Sequence, residues 1–186
     1  MILLLILTLM NSLTRYPPNR RLICSHHLIL HAKVASTSLR QCGEPVALEA
    51  AWDQPTVAII REPLQRWVSG YIMYLFDLAR WSDGKPRFRP PYHFTYDVHT
   101  TQQVYKIRKD THLIRFEDIQ EYADRAGFIL PHLHKQPRNH IKSEIVQWMK
   151  DNEDFKQALK QHLRLDYQLR EKCQSVQSLP ENLFTK

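Results

Sequence analysis

Two short apolar segments of this chain, residues 28–30 and 56–60, are each followed directly by residue types that bind phosphate in proteins. Both segments are rich in aliphatic, β-compatible residues, and we predict that they form buried strands. Helical patterns follow the strands, which favours a right-handed α/β arrangement in which parallel strands end at one edge of the sheet. The residues after the two strands should therefore meet in one ligand site at that edge.

The loop after the first segment combines a lysine with three consecutive hydroxyl residues at a point where a helix could begin. The N–H groups and the macrodipole at a helix N-terminus favour an anion, and hydroxyl groups and a flexible ammonium add contacts to its oxygens. We expect this loop to hold a phosphate group. Its residues are Lys33, Val34, Ala35, Ser36, Thr37 and Ser38.

The second segment is followed by Arg61, by Pro63, which suits the first turn of a helix, and by Ser69, eight residues after Arg61. Apolar residues recur at helical spacing after Pro63, and we expect the stripe that they form to pack against the sheet. Ser69 lies off that stripe, which leaves its hydroxyl available for a ligand. The stripe consists of Leu64, Trp67, Val68, Tyr71, Leu75 and Leu78.

The sequences KVASTS and REPLQRWVSGY resemble the two nucleotide-binding motifs of sulfotransferases that use 3′-phosphoadenosine 5′-phosphosulfate (PAPS), and they are most similar to the carbohydrate sulfotransferase branch. Further similarity is scattered over most of the chain, at residues 97–103, 112–119, 130–135 and 163–171. The chain departs from the family pattern at Ala32, Gln102 and His134. The resemblance implies an α/β, P-loop NTPase-like three-layer fold with a central parallel sheet flanked by helices.

The resemblance also implies roles for particular residues. In the family the lysine loop holds the 5′-phosphosulfate, while the arginine and the serine eight residues later hold the 3′-phosphate; here these are Lys33, Arg61 and Ser69. PAPS would then be the sulfuryl donor. The acceptor would be a hydroxyl or amine compound, and we expect a carbohydrate.

Sulfuryl transfer requires stabilisation of charge on the leaving phosphate and a base for the acceptor proton. Lys33 is the expected charge stabiliser. His99 is our first candidate for the base because imidazole titrates near neutrality, although a structural histidine is the alternative; Glu49 and Glu44 are further candidates. Arg66 could either serve the phosphate or cover the surface of its helix.

The 186-residue chain carries a formal net charge of +7 at pH 7, which favours acidic partners such as a nucleotide, an acidic glycan or an anionic membrane. Its basic residues are dispersed, without the runs of like charge typical of nucleic-acid-binding arms, so nucleic acid is not an expected partner. The length fits one domain. We predict a single sulfotransferase-like domain over residues 22–186, preceded by an apolar segment and linker over residues 1–21.

Residues 1–10 are nearly all aliphatic but too few to span a bilayer as a helix. We expect them to pack on the core, with membrane contact as the alternative. Cys24, Cys42 and Cys173 lack the spacing of metal ligands and fit a reducing compartment, so we expect a cytoplasmic protein, with association to a membrane through residues 1–10 as the alternative.

Other classes of function are disfavoured by what the sequence lacks. No Gly-x-x-x-x-Gly-Lys-Ser/Thr sequence occurs, which argues against a kinase or NTPase. The histidine pairs have no convincing third ligand, so no metal site is expected. A non-catalytic protein of the same fold that binds a nucleotide or a polyanion is the alternative to the enzyme.

Overall fold

A computed structural model describes residues 22–23, 28–30, 46–47, 54–82, 84–108, 110–130 and 139–184. The apolar segment 1–21, the Lys33 loop and the candidate base Glu49 lie outside these residues. The described strands are β1 (Leu22–Ile23), β2 (Leu28–Leu30), β3 (Val46–Ala47), β4 (Val57–Ile60) and β5 (His112–Arg115). The described helices are α1 (Pro63–Arg80), α2 (Ile119–Ala126), α3 (Asn139–Asp151), α4 (Glu153–His162) and α5 (Arg164–Glu171), and none of these is both long and apolar enough to cross a membrane.

The five strands form one sheet in the order β3-β1-β2-β4-β5. Strands β2, β4 and β5 are parallel, with Leu28 opposite Val57 and Val57 opposite His112. This confirms the α/β class and the parallel pairing expected of the two apolar segments. On the other side of β2, the two-residue strand β1 pairs antiparallel with β2, and the two-residue strand β3 pairs antiparallel with β1. The sheet is therefore mixed, a feature that the sequence did not predict.

The residues of β4 alternate between two hydrophobic clusters, because successive side chains of a strand point to opposite faces. Val57 and Ile59 pack with α2 and with the turns that end the described chain. Ala58 and Ile60 pack on the opposite face, against Leu169 of α5. Both faces of the parallel part of the sheet are therefore covered by other parts of the chain.

Helix α1 begins where the sequence predicted, with Pro63 in its first turn and with the Glu62 carboxylate accepting a hydrogen bond from the Gln65 N–H at 2.6 Å. We had expected its apolar stripe to pack against the sheet. The stripe and the sheet do not form a common cluster. It packs instead against α3 and α4, because these two helices present a continuous aliphatic surface to its aromatic residues. That surface consists of Ile141, Ile145 and Met149 of α3, Leu159 of α4, and Leu163, which directly follows α4.

The sequence also predicts a helix over residues 100–109 and a helical stretch that opens at Ser143 and continues, with one break, to Cys173, and the structure differs from both predictions. The described residues 100–108 form only a 3₁₀ turn, Val104–Lys106, because side chains bind backbone N–H groups of this segment: Asp97 accepts from Thr100, and Asp166 accepts from Gln103 and Val104. The later helical stretch begins at Asn139 rather than Ser143. It is interrupted twice, at 152 and at 163, where a single break was expected.

Gly70 allows the segment that carries His99 to approach the backbone of α1. A Cβ atom placed on Gly70 would lie 2.2 Å from the His99 carbonyl oxygen, and that oxygen belongs to backbone held by several hydrogen bonds. We predict that Gly70→Ala lowers the free energy of unfolding by about 3 kcal/mol, measured by urea denaturation, because the clash outweighs the gain in helix propensity.

Gly127→Ala provides the matched control for this change. Gly127 has a φ of 70° and no atom within 4 Å of an added Cβ, so it should lose only the strain of the left-handed conformation, about 1 kcal/mol. Equal losses in the two variants would contradict the close approach at Gly70.

Candidate functional site

Arg61 and Ser69 open onto the same cavity, a groove of about 320 Å³ between α1 and α3. Arg61 lies immediately after the carboxyl end of β4, and Ser69 lies two turns into α1. The groove is lined on the α1 side by Arg61, Leu64, Gln65, Val68, Ser69 and Ile72, and on the other side by Lys142, Val146, Met149, Lys150 and Lys156.

Arg61 reaches this groove from the connection between β4 and α1, and Ser69 reaches it from a face of α1. Within α1, positions 65 and 68, 65 and 69, and 68 and 72 are three or four residues apart, so these residues share one face of the helix. Arg61 precedes the helix, which begins at Pro63 after the non-helical cap residue Glu62. The stripe that packs on α3 and α4 adjoins this face, and Ser69 is half-buried at its edge.

The Arg61 guanidinium lies over the Phe116 ring, with 5.2 Å between its central carbon and the ring centre. Burial lowers the pKa of Arg61, and the negative charges of Glu117 and Glu62 act in the opposite direction. An arginine stays protonated under either influence. The carboxyl end of β4 therefore carries a partly buried positive charge on a residue that lines the groove.

Helix α5 fixes the residues on both sides of Arg61. The Arg170 Nη1 atom donates to the Ile60 carbonyl at 3.3 Å, and the Tyr167 hydroxyl donates to the Glu62 carboxylate at 2.9 Å. Arg170 also binds both carboxylate oxygens of Glu117, each at 3.2 Å. The backbone that carries Arg61 is thus held from a helix more than a hundred residues later in the chain.

Helix α5 also contacts α1 through a buried ion pair between Asp166 and Arg66. The two side chains are 1% and 0% exposed, with 3.6 Å between Nη2 and Oδ2. Arg66 also donates to the carbonyl oxygens of His99 and Thr101. Arg66 therefore takes neither of the two roles that the sequence left open, since it lies in the interior and does not line the groove.

His99 is held by its neighbour Asp97, which accepts from the His99 backbone N–H at 2.8 Å and lies 2.9 Å from Nδ1. Asp77, Asp97 and His99 each have a side-chain atom of a kind that binds metal ions, and these three atoms all lie within 4.8 Å of one another. Arg80 forms an ion pair with Asp77. His99 is not among the described residues that line the groove with Arg61 and Ser69. Its role as the catalytic base stays a prediction, as does that of Glu49.

The sequence reasoning missed the lysines on the other side of the groove. Lys142 and Lys150 come from α3, and Lys156 comes from α4, where it binds Glu153 at 2.7 Å. The available signal was their spacing, because residues 142, 146 and 150 recur every four positions and therefore share one helix face. Nothing local to α3 indicated which element that face would oppose.

Comparisons of this chain with protein-family models, with characterised proteins and with solved structures find no significant match.

We predict that Asp166→Asn lowers the free energy of unfolding by about 3–5 kcal/mol, because removing one partner of a buried pair leaves the Arg66 charge uncompensated. Urea denaturation followed by circular dichroism measures this change. The control is Asp110→Asn, which removes an exposed carboxylate bound to Arg108 at 2.7 Å and should change stability little. Similar effects of the two substitutions would show that the buried pair does not stabilise the junction of α1 and α5.

Proposed function

We propose that this protein is a PAPS-dependent sulfotransferase that transfers a sulfuryl group to a hydroxyl or amine acceptor, with a carbohydrate as the expected acceptor. The observation that carries the proposal is the shared groove of Arg61 and Ser69. These two residues were selected from sequence as the pair that binds the 3′-phosphate, and they line one cavity at the carboxyl end of a parallel strand. Ligands of open α/β sheets bind at that edge.

The proposed fold is the P-loop NTPase-like three-layer arrangement. Two features support it: β2, β4 and β5 are parallel, and both faces of this part of the sheet are covered. The Lys33 loop lies outside the described residues, but β2 leads toward it and pairs directly with β4, which leads to Arg61. A phosphate-binding loop after β2 would therefore begin beside Arg61.

The residues of the groove fit the chemistry of a phosphate ligand. A guanidinium donates two parallel hydrogen bonds to phosphate oxygens, and a serine hydroxyl donates one more. A cavity of about 320 Å³ falls in the range of small-molecule sites. Its aliphatic residues, such as Leu64 and Val68, would contact the non-polar part of a nucleotide.

The proposed roles in the reaction follow from these positions and from the resemblance. The bound donor would supply the sulfuryl group. Arg61 and Ser69 would hold its 3′-phosphate, and the Lys33 ammonium would stabilise the negative charge that develops on the leaving phosphate. His99, oriented by Asp97, or Glu49 would accept the proton of the acceptor. No metal is assigned a step in this scheme.

The first test is titration calorimetry of 3′,5′-diphosphoadenosine, the desulfated nucleotide, at fixed moderate salt. We expect Arg61→Ala to weaken binding by about 10- to 100-fold, because it removes charge-assisted hydrogen bonds worth roughly 1.5–3 kcal/mol. Ser69→Ala should weaken it less. Arg164→Ala is the matched control, since it removes an exposed arginine that does not line the groove. Absence of binding to folded wild-type protein would overturn the proposal.

Transfer of labelled sulfate from PAPS to a panel of acceptors then separates an enzyme from a binding protein. The wild-type protein should transfer, and Lys33→Ala should lose transfer while it keeps part of its affinity for the desulfated nucleotide. Binding without transfer to any acceptor would instead favour the non-catalytic nucleotide-binding alternative.

A further inference from the structure

Lys142 and Lys150 of α3 face the groove that holds Arg61 and Ser69, and we refer to these two residues as the lysine wall. Both side chains are exposed, and the partly exposed Val146 lies between them on the same helix face. The groove thus has positive charge on both sides, although its two sides are far apart in the sequence.

The packing of α3 determines where the lysine wall points. Ile141, Ile145 and Met149 are buried against α1, with at most 3% of each side chain exposed. Each lysine follows one of the buried residues by a single position, which corresponds to a rotation of about 100° around a helix. The lysines therefore lie at the margin of the α1–α3 interface rather than on the side of α3 that faces bulk solvent.

The lysine wall lacks counterions in the part of the chain that the structure describes. Lys156 is bound to Glu153, but neither Lys142 nor Lys150 has an ion pair among the described residues. All of the ionisable described residues that line the groove are basic. Positive charges gathered in a cleft with apolar walls focus the electrostatic potential and attract an anion.

An ordinary solvated helix face is the alternative explanation for such lysines. It does not account for the apolar residues beside them, because Val68, Ile72 and Met149 line the same cavity. An apolar surface between two sets of cations suits a ligand that has a non-polar ring system and phosphate groups at its edge. A nucleotide is such a ligand.

Resting on the proposed function, we propose that Lys142 and Lys150 are further nucleotide-binding residues that contact the 3′-phosphate from α3, opposite Arg61 and Ser69. The 5′ end is assigned to the Lys33 loop, whereas the lysine wall shares its cavity with the 3′-phosphate pair. The lysine wall then determines the preference for nucleotides that carry a 3′-phosphate over nucleotides that carry only a 5′-phosphate.

The test compares the binding of 3′,5′-diphosphoadenosine and of 5′-AMP by calorimetry at fixed salt. The proteins are wild type, Arg61→Ala, the double variant Lys142→Ala/Lys150→Ala, and the control Lys160→Ala/Lys172→Ala, which removes the same charge away from the groove. We expect the lysine-wall variant to bind the diphosphate at least about tenfold more weakly and to bind 5′-AMP like wild type. Both lysines are exposed, so folding should be unaffected, and circular dichroism checks this.

The possible results distinguish the two proposals. If Arg61→Ala loses diphosphate binding and the lysine-wall variant does not, the role of the lysine wall is overturned and the proposed function stands. The role of the lysine wall is also overturned if the lysine-wall variant loses affinity equally for both nucleotides, or if the control variant loses as much affinity as the lysine-wall variant. A general charge effect would then explain the data. If folded wild-type protein does not bind the diphosphate, the proposed function fails and this inference fails with it.

Discussion

The ion pair between Arg66 and Asp166 is the contact on which the geometry of the groove depends. Taking two charges out of water is costly, and their mutual attraction offsets that cost only with the help of further hydrogen bonds. Asp166 uses both oxygens to accept from Gln103 and Val104, and Arg66 donates to the carbonyls of His99 and Thr101. This pair and its hydrogen bonds therefore join α1, α5 and the segment of residues 99–104. They also explain why that segment does not form an α-helix.

The same helix that supplies Asp166 also holds the backbone around Arg61, the arginine that we propose binds phosphate. Tyr167 and Arg170 hold Glu62 and Ile60, the residues on either side of Arg61. The backbone on both sides of Arg61 is thereby fixed, and its guanidinium lies over the Phe116 ring. The two arginines of residues 60–66 therefore have different positions. Arg61 lines the groove, whereas Arg66 is buried and joins α1 to α5.

The sequence predicted the parts of the structure that depend only on residues close together along the chain. Aliphatic runs indicated β2 and β4, Pro63 marked the start of α1, and the helical spacing after Pro63 left Ser69 off the apolar stripe. The lysine wall and the buried role of Arg66 could not be predicted in this way. Both depend on which distant helix packs against α1, and the periodicity of α1 is the same whether its partner is a sheet or another helix.

The position of α5 in the chain has a consequence for how the protein is made. The hydrogen bonds that hold Glu62 and Ile60 join residues 105 and 110 positions apart. During synthesis, β4 and the start of α1 leave the ribosome long before the helix that will fix them, and contacts of such large sequence separation form slowly. The hydrogen bonds that hold the backbone around Arg61 can therefore form only after residue 170 has been synthesised, when β2, β4 and β5 are all already available for pairing.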